Sequence, residues 1–233
     1  MDNLQVLPNI EDVFFDNIEK HSELLLPLLT IDLSEVDPTL SGVVHFILPL
    51  EPLDTLGLET NKYHSYYSRC NWVAYKVING KCVLEPDFNF FQLEYVKSHP
   101  DFKEHFDGVD SYLNNLPETL AVEISKIKSN YQKMKSKYSN CLEQPNGLLK
   151  YFEDFPEPYK YIDGSFPVRL NEGDNVNYPL TEDGRVFKYI GSIDVTDFTF
   201  YDENKKRVSL NADFNIVLYY DPVEQIILNT FSY

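Results

Sequence analysis

The sequence predicts an α+β fold in which mostly antiparallel sheets are bridged and covered by helices. Three observations carry that prediction. Trp72–Ile78 and Lys81–Glu85 are rich in β-forming residues and meet at Asn79-Gly80, the favoured pair for a two-residue type I′ hairpin. Leu120, Ile124, Ile127, Tyr131, Met134, Tyr138 and Cys141 recur at steps of four and three, the seam of one long amphipathic helix. From Arg185 onward, short β-rich runs alternate with turn chemistry and no helical period intervenes.

The remaining elements follow in order. Residues 9–26 read as a helix, because Ile10, Val13, Phe14, Ile18, His21 and Leu25 recur at helical steps, and Pro27 is expected to end it. Leu28–Leu33 and Val43–Leu48 read as strands separated by turn-rich residues 34–38. Over 87–114 the aromatics Phe88, Phe91, Tyr95 and Phe102 suggest a helix broken at Pro100. Pro117 opens the long helix at its favoured first-turn position, and Pro145-Asn146-Gly147 stops it. The Pro- and Asp-rich stretch over 153–184 reads as irregular. Arg185–Ile193, Thr199–Tyr201, Arg207–Leu210, Phe214–Tyr220 and Gln225–Phe231 read as strands.

An internal repeat organises these pieces. Ile31-Asp32-Leu33-Ser34-Glu35-Val36 matches Ile193-Asp194-Val195-Thr196-Asp197-Phe198 position by position at an offset of 162, and a strand follows each copy. The second copy carries an extra turn around Asp202–Lys206. The chain therefore reads as a single pseudo-duplicated domain over 1–233, with a first β-unit over 27–92, a helical layer over 93–143 and a second β-unit over 160–233.

The second copy, with its stretch from Tyr178-Pro179 through Gly184 and a strand to Ile193-Asp194, resembles the YwqG-like family. The first copy matches in shorter form, as Leu28-Leu29-Thr30-Ile31-Asp32 followed by Gly42-Val43-Val44. Tyr178 stands where the family more often has Trp, and Ser192 and Thr30 where it tends to have Gln. The resemblance implies a duplicated, sheet-rich α+β domain. It also implies kinship with proteins some of which accompany polymorphic toxins as immunity proteins. It transfers no catalytic residue.

No motif for chemistry stands out. The five histidines include no His-Glu-x-x-His, and the three cysteines, Cys70, Cys82 and Cys141, show no metal-binding or disulfide spacing. Neither a nucleophile elbow nor a phosphate-cradling glycine loop is present. Cys70 near His64 is the one Cys–His arrangement to consider, and a packed structural cysteine is the simpler reading. Asp32 and Asp194, in the same slot of the repeat, read as acceptors for the N–H groups of the following turn. Glu182-Asp183-Gly184 reads as a β-turn. The sequence thus assigns no catalytic, cofactor or metal residues.

Charge points to a partner class. A net charge of −17 disfavours nucleic acid and anionic membrane, and suits a basic protein. Residues 1–60 hold 12 acids against one lysine, and 151–203 hold 12 acids against four basic residues. The longest apolar run, Leu24–Ile31, spans 8 residues, too short for a membrane helix, and the N-terminus lacks a signal-peptide pattern. A cytoplasmic protein-binding protein is the expected class, most specifically an immunity protein that neutralises a cognate toxin. The alternatives are a non-toxin interaction module and an enzyme without a recognisable motif. The expected partner-binding residues are the acidic turns of the second β-unit, Glu182-Asp183 and Asp202-Glu203.

Overall fold

The computed structural model describes residues 4–51, 56–58, 60–98, 116–138, 166–173, 175–210 and 212–232. Among them are twelve strands: β1 (Gln5–Val6), β2 (Leu25–Asp32), β3 (Val43–Pro49), β4 (Trp72–Ile78), β5 (Lys81–Leu84), β6 (Val168–Asn171), β7 (Val176–Pro179), β8 (Lys188–Asp194), β9 (Thr199–Tyr201), β10 (Arg207–Ser209), β11 (Asn215–Asp221) and β12 (Ile226–Ser232). Four helices join them: α1 (Ile10–Val13), α2 (Ile18–Leu24), α3 (Gln92–Ser98) and α4 (Leu116–Tyr138). The fold is α+β, and every strand pairing within the sheets is antiparallel. A three-stranded sheet, β1-β2-β3, faces a five-stranded sheet, β5-β4-β12-β11-β8, with β3 packed on β11 and β12.

Side-chain alternation makes the five-stranded sheet apolar on both faces. Val73, Tyr75, Ile216, Leu218 and Ile227 point into the core between the sheets. Trp72, Ala74, Val217, Tyr219 and Leu228 point outward into a second cluster with Tyr67, Phe166 and Phe187. The hairpin at Asn79-Gly80 forms as the sequence predicts, with φ of 52° and 77° at the two turn residues. His45 ties it to β3: Nε2 donates to the Gly80 carbonyl at 2.9 Å, which leaves Nδ1 to accept from the Thr30 hydroxyl at 2.9 Å.

The two copies of the repeat fold alike in detail. Asp32 ends β2 and accepts from both the backbone N–H and the hydroxyl of Ser34, at 2.9 and 2.7 Å. Asp194 ends β8 and does the same with Thr196, at 2.8 and 2.7 Å. A single 3₁₀ turn follows each. The next residue bonds back identically, Leu33 N–H to Gly42 O and Val195 N–H to Phe214 O. Even the β-bulge recurs. On β2 the register jumps from Pro27↔Ile47 to Leu29↔Phe46, leaving Leu28 as the extra residue. On β8 it jumps from Tyr189↔Tyr219 to Gly191↔Leu218, leaving Ile190. Leu28 and Ile190 are separated by the same offset as the two sequence copies, and both are buried. Asp32→Ala and Asp194→Ala should each cost about 1 kcal/mol. Denaturant titration of the double variant should show additivity, because the caps share no partner.

The structure differs from the sequence expectation in three places. Residues 9–26 are not one helix: Asn17 adopts φ 45°, and Phe14 bridges to Cys82 while the Phe15 N–H bonds to Cys82 O at 2.9 Å, so β5 pulls the chain out of helical register. Pro27 does not end α2; the strand begins at Leu25, and the proline sits at the bulge, where the lost N–H is tolerated. The stretch over 153–184 is not wholly irregular, because β6 and β7 form a hairpin there. The helix break at Pro100, the helix stop at 145–147, His99, His105, Cys141 and the side chain of Leu120 lie outside the described residues.

The seam of α4 packs where expected, with Tyr131 and Met134 buried and Ile124, Ile127 and Tyr138 half-buried. The Tyr131 hydroxyl donates to Pro27 O at 2.7 Å, fixing the helix to the β2 bulge. The β9–β10 hairpin, the insertion of the second copy, holds the same helix: Asn130 donates to Ser209 O and Tyr138 to Thr199 O.

Burial sets a pH dependence. Desolvation lowers the pKa of His21, stacked on Phe14 at 4.0 Å, and of His45 below the ordinary histidine value. Unfolded histidines therefore bind protons that the folded ones refuse. Their contribution is fully present above about pH 6.5 and is lost as pH falls through the folded pKa values. From pH 7 to pH 5 the two histidines push the melting temperature down, so the difference between His45→Gln and the parent should shift in favour of the variant as pH falls over that range. Glu51 has the opposite sign. Burial raises its pKa well above the ordinary value, so its contribution is greatest below about pH 4.5 and wanes as pH rises.

Candidate partner-binding surface

The 181–185 turn is built from its own sequence. The N–H of Thr181 bonds to Arg185 O and that of Gly184 to Thr181 O, while the Thr181 hydroxyl accepts from the Arg185 N–H at 2.8 Å. Gly184 takes φ 85°, which favours glycine at that corner.

Arg185 then joins this turn to the β11–β12 turn. Its Nε donates to Asp183 at 2.9 Å, its Nη1 donates to both oxygens of Asp221 at 2.7 and 2.8 Å, and its Nη2 donates to Glu224 at 2.6 Å. Asp221 also accepts from the Glu224 N–H at 2.7 Å. Tyr67 completes the junction by donating to Glu224 at 3.1 Å and accepting from the Glu182 N–H at 3.2 Å. The Arg185 and Thr181 side chains hold the Asp183 carboxyl at about 2, well below the usual carboxylate range. Three carboxylates, Asp183, Asp221 and Glu224, thus converge on one guanidinium, leaving a local excess of negative charge on a rigid pair of turns.

The four predicted residues divide into two kinds. Asp183 and Asp202 build turns: Asp183 is bound to Arg185, and Asp202 accepts from the N–H groups of Asn204 at 2.9 Å and Lys206 at 2.8 Å. Glu182 and Glu203 project into solvent. The two turns are separated along the chain by β8, a 3₁₀ turn and β9, so Arg185 and Tyr67 organise the first turn and not the second. Asp221, Glu224, Arg185 and Tyr67 escaped the sequence reading. Their contacts span up to 157 residues, beyond the reach of any local pattern.

The Cys–His arrangement is real in space. His64 and Cys70 line a cavity of about 310 Å³ with Ser65 and Arg69. His64 Nε2 donates to Gly57 O at 2.6 Å, and the Cys70 thiol donates to the same oxygen at 3.7 Å. Two donors sharing one carbonyl hold the loop together, and that imidazole nitrogen is not placed as a base for the thiol. Cys82 is fully buried and its thiol pKa is pushed up by desolvation, as befits a packed residue. Among the described residues no group of three His, Cys, Asp or Glu could hold a metal ion, and no helix is long and apolar enough to cross a membrane. Comparison of the chain with protein-family models, curated proteins and solved structures finds no match.

Proposed function

We propose that this protein binds a basic protein partner, and that it is an immunity protein neutralising a cognate toxin in the cytoplasm. The observation that carries the reading is the turn pair at 181–185 and 221–224, where Arg185 holds Asp183, Asp221 and Glu224 and leaves Glu182 exposed. A preformed acidic surface loses little ordering entropy on binding and steers a cationic partner toward it. The overall charge of −17 and the resemblance to the YwqG-like family agree with this reading. Glu203 offers a second contact on the β9–β10 turn.

Affinity capture from the encoding organism tests it, with Glu182→Lys and Glu203→Lys beside the unaltered protein. Both glutamates are exposed, so the variants should melt within about 1 °C of the parent. Glu182→Lys should lose most of a basic partner at low salt, and Glu203→Lys should lose less. Capture unaltered by both substitutions would remove the acidic turns from the account. A captured partner with no toxic activity would favour the non-toxin interaction module.

A further inference from the structure

A second site lies beneath the β6–β7 hairpin and does not depend on the reading above. A cavity of about 490 Å³ opens there, within the size range of small-molecule sites. Its apolar walls are Leu170, Tyr178, Val186 and Phe187, and Arg169 and Lys188 stand among the polar groups that line it. Leu170 and Val186 are 50% and 39% exposed, so this apolar surface faces solvent. Phe187 and Tyr178 also belong to the aromatic layer on the outer face of the five-stranded sheet, which connects the cavity to that layer.

The layer holds polar atoms that lack partners. Trp72 Nε1 and the Tyr219 hydroxyl are fully buried and make no hydrogen bond among the described residues. Trp72 lies 6.4 Å from Tyr219, ring centre to ring centre, and Tyr189 lies 5.7 Å from Tyr219. Desolvation raises the Tyr219 pKa, and the neighbouring Tyr189 and Tyr178 raise it further. Neither Trp72 nor Tyr219 lines the cavity, so these groups belong to the layer behind Tyr178 and Phe187 and take no part in holding a ligand there.

Charge selects the ligand. In a chain of net −17 this cavity has two cationic side chains and one carboxylate, Glu172, among its described lining residues. Lys188 is paired with Asp37 at 2.7 Å, while Arg169 makes one bond to Gly184 O at 3.1 Å and keeps further donors for a planar anion. We infer that the cavity binds a small aromatic carboxylate, its ring against Tyr178 and Phe187 and its anion on Arg169.

Fluorescence titration with 1-anilinonaphthalene-8-sulfonate, an aryl anion, and competition by 2-naphthoate test this on the intact chain. The folded protein should bind one equivalent, and 2-naphthoate should displace it while neutral 2-naphthalenemethanol should not. Arg169→Gln should weaken binding about tenfold, the loss of one charge-assisted contact. Val186→Trp, which fills the cavity from an exposed position, should abolish binding without shifting the melting temperature. No fluorescence gain with the parent protein would overturn the inference. So would binding equal in the parent and both variants, or displacement by the neutral alcohol as strong as by 2-naphthoate.

Discussion

Arg185→Ala should lower stability by about 3 kcal/mol, a loss of roughly 6–12 °C in melting temperature for a domain of this size. The effect comes from what the arginine leaves behind. The Asp221 side chain is 3% exposed and holds both oxygens on the guanidinium, so removing the cation strands a buried carboxylate. Arg185 itself is 29% exposed, which keeps the loss at the lower end for a broken buried pair. Arg185→Lys should recover part of the loss, because an ammonium reaches Asp221 but cannot match its two oxygens and also hold Asp183 and Glu224. Adding Asp221→Asn to Arg185→Ala should restore stability, and calorimetry of the four proteins measures the coupling directly. A near-zero loss for Arg185→Ala would show that the turn pair is not preorganised.

Tyr131→Ala should cost about 3–5 kcal/mol, the range for truncating a buried aromatic. Tyr131 is 3% exposed, and its hydroxyl donates to Pro27 O in the β2 bulge. Truncation opens a cavity and leaves that carbonyl without its donor. Tyr131→Phe keeps the ring and should cost only about 1 kcal/mol. Amide exchange should locate the damage: protection along α4 should fall first in Tyr131→Ala, while β11 and β12 should keep theirs until global unfolding.

Local signals in the sequence were enough wherever one element decides its own form. Asn79-Gly80 dictates a hairpin because both residues tolerate positive φ, and the alternation of three and four along α4 places Tyr131 and Met134 on the buried face. The repeat was visible because the Asp cap and its Ser or Thr partner are two residues apart. What escaped was decided by distant contacts. The break between α1 and α2 depends on the bridge from Phe14 to Cys82 across the core. Strand β6 escaped because all four of its residues are exposed, which leaves no alternation of buried and exposed positions to read. At the candidate surface the turn at 181–185 was legible, but its role was not. Asp183 and Asp202 look free in sequence and are structural in space, because their acceptors meet Arg185 and the N–H groups of a turn.

Affinity capture from the native lysate, repeated at low and high salt and followed by mass spectrometry and gel filtration, tests the central claim most directly. The account predicts one predominant basic protein, retained at low salt, released as salt rises and co-eluting with this chain in a defined complex. Retention of an acidic protein, retention insensitive to salt, or no complex at low salt would contradict it.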